Sequence, residues 1–267
     1  MVNHRANQGN RRWSFDRDAG VYEGGRPPYP PRTYEFMAEI GALQAGTRVL
    51  EIGPGTGQAT IELLERGATV DAIELGANLT SRLRERIPDP CLTVTVGDIH
   101  TVDLPVGEYD TVVAATMFHW LEVPALLPRL AATLRPGGWL VVWWTVFGDP
   151  DASTQFRREV DRIYRERMLH EWRPPHQVPG AMRVEDRIVE LTGSGYFTDP
   201  RHELIRWTAR LTARQVRALF ATFPNVAELD PATREAHLDA LAAAVDAEGG
   251  VIDDPYVTAV YAARKSL

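Results

Sequence analysis

The sequence predicts an α/β fold, a mostly parallel sheet covered by helices on both faces, and three observations carry that prediction. Short apolar runs alternate with longer amphipathic stretches, as in consecutive βαβ units. Most of the runs are apolar or β-branched throughout instead of alternating, which fits strands covered on both sides. A glycine-rich turn separates the first run from the first amphipathic stretch. With 267 residues the chain suits one sizeable core with an elaboration.

In order, strands are expected at 48–52, 69–73, 92–96, 110–115 and 138–144, with helices at 58–65, 77–86 and 124–134 between them. Arg135-Pro136-Gly137-Gly138 reads as a helix stop and turn. A charged helix is expected over 153–169, where Arg157, Arg158, Arg162, Arg165 and Arg167 interleave with Glu159, Asp161 and Glu166. A loop rich in proline and aromatic residues (170–181) and a helix over 184–191 come next, then a strand over 202–209. Helices over 212–222 and 231–247 precede a last strand over 256–263. The opening residues 1–12 read as a polar tail, and 13–267 as one domain with helices inserted between its later strands.

Composition excludes several functions. The net charge is −7 and no compact block of Lys and Arg exists, so nucleic acid and anionic membranes are not expected partners. The apolar run 139–147 is far shorter than the ~20 residues of a membrane helix. No apolar stretch follows the basic opening residues, so a secretory signal is not expected. Cys91, the only cysteine, has no disulfide partner, which fits a reducing cytoplasm. The expectation is a cytoplasmic soluble protein.

Glycines 53, 55 and 57 allow a tight turn and close approach of backbone to a ligand. Helix N-terminal amides near Gly57 offer donors to an anionic group. Gln58 stands where a dinucleotide fingerprint wants glycine, and no Gly-Lys-Ser/Thr tripeptide marks a P-loop. Glu74, 21 residues after Gly53, closes the second strand where an acid accepts ribose hydroxyls. The pairing points to a nucleoside-containing cofactor without choosing one.

Residues 49–60 resemble motif I of the class I S-adenosylmethionine-dependent methyltransferases. The stretches 72–76, 97–99 and 134–138 are similar to further motifs of that family, in the same order and spacing. The resemblance implies a Rossmann-like class I methyltransferase fold with a seven-stranded sheet and a helical lid. It implies S-adenosyl-L-methionine as cofactor and S-adenosyl-L-homocysteine as product. Glu51 and the turn Gly53, Pro54, Gly55, Thr56 and Gly57 would surround the methionine portion, and Glu74 beside Leu75 would take the ribose. Asp98 and Ile99 would contact the adenine, with Ala115, Tyr22 and Arg26 completing the cofactor set. On the same footing, residues 13–45 would cover the cofactor, 46–147 would bind it, and 148–267 would carry the later strands and the lid.

Two more stretches narrow the resemblance. Residues 15–22, followed by Gly25-Arg26-Pro27-Pro28-Tyr29-Pro30, are similar to the opening segment of small-molecule methyltransferases related to trans-aconitate methyltransferase. Phe118-His119-Trp120 resembles a tripeptide of the same group.

Methyl transfer from a sulfonium is an in-line displacement, so positioning supplies much of its rate. Positive charge is lost at sulfur, so an aromatic-lined, water-poor site suits it. Tyr22, Tyr29, His119, Trp120 and Trp144 are the expected walls of the reacting end, with Arg26 pairing the cofactor carboxylate or a substrate acid. His119 has two readings: a general base for a hydroxyl or amine, or a ring that packs beside the cofactor. A carboxylate nucleophile needs no base. Trp143, Trp144, Phe147, Trp172 and Trp207 read as pocket or as core. His170 and His176 flank Glu171, but no third ligand follows at a recognised spacing, so no metal is expected. The expected activity is methylation of an oxygen or nitrogen of an organic acid or secondary metabolite. Alternatives are a cofactor-binding protein that performs a cyclisation or rearrangement, or a non-catalytic partner subunit.

Overall fold

The computed structural model describes residues 25–166 and 178–266. The expected tail at 1–12, the segment 13–24 with Tyr22, the end of the helix expected over 153–169, and His170, Glu171, Trp172 and His176 lie outside them.

The elements run α1 (Arg32–Glu39), β1 (Arg48–Ile52), α2 (Gln58–Glu65), β2 (Thr69–Glu74), α3 (Ala77–Arg86) and β3 (Leu92–Val96). Next come β4 (Tyr109–Ala115), α4 (Val123–Thr133), β5 (Leu134–Phe147), α5 (Gln155–Glu166) and α6 (Val184–Thr192). The chain closes with β6 (Phe197–Thr212), α7 (Ala213–Ala221), α8 (Pro224–Ala227), α9 (Pro231–Ala247) and β7 (Val251–Lys265). One seven-stranded sheet forms in the order β3-β2-β1-β4-β5-β7-β6. The first five strands are parallel, and β7 runs antiparallel to both β5 and β6. The expected mostly parallel α/β sheet is therefore what the chain forms.

Successive residues of the central strands feed opposite faces, because side chains alternate along a strand. Leu50, Val112, Leu140 and Val142 pack under α4 through Leu126, Leu127 and Leu130. Their neighbours Val49, Val113, Val141 and Trp143 pack against Tyr34 and Met37 of α1 and Leu63 of α2. Both faces are apolar, which is why these strands read as continuous hydrophobic runs.

The last three strands exceed their expected lengths. Strand β5 starts at Leu134, so the expected turn at 135–138 is absorbed into it, with a register shift opposite Tyr109 and Thr111 and Gly137 at φ 77°. Strands β6 and β7 pair from Phe197–Lys265 to Thr212–Val251, through many polar positions. Strand β6 is the edge of the sheet and much of it is exposed, so hydrophobicity underestimates its extent and that of the β7 residues paired with it.

The helices between β5 and β7 build a third core. Phe156, Val160 and Ile163 of α5 meet Val216, Leu219 and Phe220 of α7 and Leu238, Leu241 and Val245 of α9. Arg157 ties this layer to the sheet through two hydrogen bonds to Asp254 (2.7 and 2.5 Å), whose side chain is fully buried. Burial pushes the Asp254 carboxyl up, and Arg157 pulls the other way. Among the described residues, no helix is long and apolar enough to cross a membrane.

Candidate active site

Strand β1 ends in a turn that only glycine can build at two of its positions. Gly53, Gly55 and Gly57 have φ of 63°, 58° and 89°. A Cβ on Gly57 would lie 2.5 Å from Ile87 Cδ1 and 2.6 Å from Leu83 Cδ1, and one on Gly53 would lie 3.0 Å from Met117. The buried carboxylate of Glu74 fastens the turn to the end of β2. It accepts from the Gly55 N–H at Oε2 and from the Gly76 N–H at Oε1, both at 3.0 Å.

Glu51 stands behind this turn, 1% exposed, with Oε2 accepting from the Thr60 hydroxyl at 2.7 Å. Its Oε1 is buried without a hydrogen-bond partner, as is the Thr56 hydroxyl. Burial raises the Glu51 carboxyl to about 7, opposed by Thr60 and assisted by the charge of Glu74.

A cavity of about 700 Å³ opens at the carboxyl ends of the parallel strands, where such sheets bind ligands. Of the residues expected around the cofactor, it brings together Arg26, Gly53, Gly55, Glu74, Leu75, Asp98, Ile99 and Ala115. Glu51, Pro54, Thr56 and Gly57 do not line it. They shape or back the turn instead. Asp98 accepts from the His100 N–H at 3.0 Å, which holds its carboxylate at the β3 end.

His119, Trp120 and Trp144 line the same cavity farther along, with Thr145, Phe147, Tyr164, Arg187 and Phe223. Tyr29 does not. It sits one layer back, sharing a 2.8 Å hydrogen bond with the Thr116 hydroxyl and meeting Trp143 edge-on at 5.6 Å. Thr116 is on the wall at φ 61°, a costly conformation for a β-branched residue, held by its N–H bond to the Trp143 carbonyl (2.7 Å). Trp143 is core, and Trp207 donates to the Thr258 hydroxyl at 3.0 Å away from the cavity wall.

The general-base reading of His119 does not fit this geometry. The Trp144 indole N–H, which can only donate, points at His119 Nδ1 at 2.9 Å. Accepting there leaves the proton of the neutral ring on Nε2, so neither nitrogen offers a lone pair to an acceptor. The ring is exposed to the cavity but enclosed by its walls. Loss of surrounding water, then the charges of Arg187 and Arg26, lowers its pKa to about 4.

Two arginines face this end. The Arg26 Nε donates to the Thr222 hydroxyl at 3.0 Å, and its guanidinium lies over Phe147 and Phe223 at 5.1 and 5.5 Å. Arg187 of α6 lies over Trp144 at 5.8 Å and donates through Nη1 to Glu190 at 2.6 Å. Sequence reasoning missed Arg187, because an arginine three residues before a glutamate reads as an exposed helix pair. It also missed Thr116, whose strain has no sequence signal. Among the described residues no cluster of His, Cys, Asp and Glu could hold a metal ion.

Comparison with known proteins agrees with this architecture. A family model described as a methyltransferase domain matches residues 50–142. An uncharacterized methyltransferase of Mycobacterium tuberculosis is 34% identical over 209 residues, covering 78% of this chain and 76% of the relative. A protein from Anaeromyxobacter dehalogenans, solved as a candidate type II methyltransferase, superposes with a TM-score of 0.66 at 21% identity, covering 90% of this chain and 97% of that one. Phosphoethanolamine N-methyltransferase 2 of Haemonchus contortus was solved with phosphomonomethylethanolamine and S-adenosylhomocysteine. It superposes with a TM-score of 0.57 at 18% identity, covering 100% of this chain and 61% of that one.

Proposed function

The chain belongs to the class I methyltransferase family, and from that premise we propose that it methylates an oxygen or nitrogen of a small molecule, an organic acid or a secondary metabolite, using S-adenosyl-L-methionine. The observation that carries this reading is the single cavity holding two chemically different ends. One end has the glycine turn, Glu74 and Asp98; the other has aromatic rings, His119 and two arginines.

The residues present fit the donor. Positions 53 and 57 have the positive φ that disfavours any side chain, and the Glu74 carboxylate is held at the wall by two backbone N–H groups. Glu74 would accept the ribose hydroxyls, Asp98 and the Ile99 backbone would take the adenine, and Leu75 and Ala115 would give apolar contact. The turn would hold the methionine carboxylate, and Arg26, at the junction of the two ends, would pair with that carboxylate or with an acid on the acceptor. When bound, S-adenosyl-L-methionine supplies a sulfonium methyl group and is released as S-adenosyl-L-homocysteine. The protein aligns the acceptor opposite the sulfur and excludes water from the path between them. The helices between β5 and β7 form the substrate lid. A cytoplasmic monomer or homodimer working on a free small molecule completes the reading.

The test is incubation with methyl-labelled cofactor and a panel of acids, phenols and amines. Labelled product with stoichiometric S-adenosyl-L-homocysteine is expected. Product without label transfer would instead establish a cyclisation or rearrangement. Turnover only in a complex would establish a partner subunit.

A further inference from the structure

The charges on the cavity wall are divided between its two ends. Glu74 and Asp98 sit at the ends of β2 and β3. Among the described residues, no carboxylate lines the part bounded by His119, Trp144, Phe147 and Phe223, where the charged wall residues are Arg26 and Arg187. Arg187 is held in place from two sides, by Glu190 through Nη1 and by the indole of Trp144 beneath its guanidinium. Its Nε is buried and has no hydrogen-bond partner. The same indole makes the 2.9 Å hydrogen bond to His119 Nδ1. Trp144 thus touches both groups, and it is itself 7% exposed and packed among Phe118 and Tyr261.

We propose that Trp144 is a positioning residue that holds His119 as an Nε2–H donor, and that this donor and Arg187 together read an anionic group on the acceptor. The proposal rests on the reading above, in which the acceptor occupies this end of the cavity. A neutral imidazole N–H adds a directed hydrogen bond without a second full charge. The guanidinium supplies the charge and a planar set of donors suited to carboxylate or phosphate. A neutral acceptor offers the guanidinium no charge to pair with, so selectivity follows from the lost charge-assisted contact. The aromatic walls take the body of the molecule.

Full-length protein saturated with S-adenosyl-L-homocysteine is the material for the test. Imidazole ¹⁵N spectra should show a protonated Nε2 and an unprotonated Nδ1 for His119, a bias that Trp144→Phe removes. Calorimetry with two matched pairs, benzoate against benzamide and indole-3-acetate against indole-3-acetamide, should favour the carboxylate about tenfold in each pair. Arg187→Met should abolish that preference and Arg187→Lys should restore part of it. Both variants should keep their S-adenosyl-L-homocysteine affinity within about twofold. A protonated Nδ1 in the unaltered protein, equal binding within both pairs, or a preference that survives Arg187→Met would each overturn the proposal. Failure to bind S-adenosyl-L-homocysteine would strike the methyltransferase reading itself, and with it the proposal that rests on it.

Discussion

Two buried glutamates meet at the glycine turn and behave in different ways. Glu74 is held by two backbone donors at the cavity wall. Glu74→Ala should weaken S-adenosyl-L-homocysteine binding by about 1–3 kcal/mol through lost hydrogen bonds, and unchanged affinity in calorimetry would remove it from the donor site. Glu51 has one satisfied oxygen and one orphan, and its carboxyl moves from 4.5 to about 7. The folded state therefore holds this proton more tightly than the unfolded state. The resulting stability is fully present below pH 4.5 and is lost as pH rises through about 7. His119, lowered from 6.5 to about 4, acts in the opposite sense: its contribution is present above 6.5 and lost as pH falls towards 4. Glu51→Gln should remove the first dependence and leave the second, so that stability climbs with pH across the acidic range. Denaturant melts at stepped pH measure this, and a variant profile parallel to the unaltered protein's would refute the Glu51 assignment. Little of this was legible beforehand. The sequence marks Glu51, Glu74 and His119 as residues near a ligand, but burial, an orphan oxygen and the Trp144 bond arise only from packing.

At the level of elements, the turn from β1 to α2 is the most constrained. Gly57 combines a φ of 89° with a Cβ position already filled by Ile87 and Leu83. Gly57→Ala should cost about 1–3 kcal/mol in stability and displace the start of α2, weakening cofactor binding as well. Normal melting together with normal binding would show that the turn tolerates a side chain. The elements around this turn were readable to the residue: β1, α2, α3 and β3 begin and end where periodicity and glycine placed them. Strands β5, β6 and β7 were not. Their ends depend on pairing partners distant in the chain, such as Thr212 with Val251, and no local pattern encodes that. Helix α6 was found as an element, yet the inward turn of Arg187 depends on where Trp144 lies in space.

The whole molecule has two apolar layers on the sheet and a third core of its own in α5, α7 and α9. The buried Arg157–Asp254 pair fastens that third core to β7. Arg157→Ala would strand a carboxylate with a fully buried side chain, and a loss of about 3–5 kcal/mol is expected. An unfolding midpoint unchanged in urea would show the pair to be dispensable. Chain order and cavity geometry coincide in one respect. Strands β1 to β4 and the loops after them supply the glycine turn, Glu74 and Asp98, whereas Tyr164, Arg187 and Phe223 arrive later in the chain. A substitution at Tyr164, Arg187 or Phe223 therefore changes the wall that meets the acceptor while the glycine turn, Glu74 and Asp98 keep their own residues and contacts.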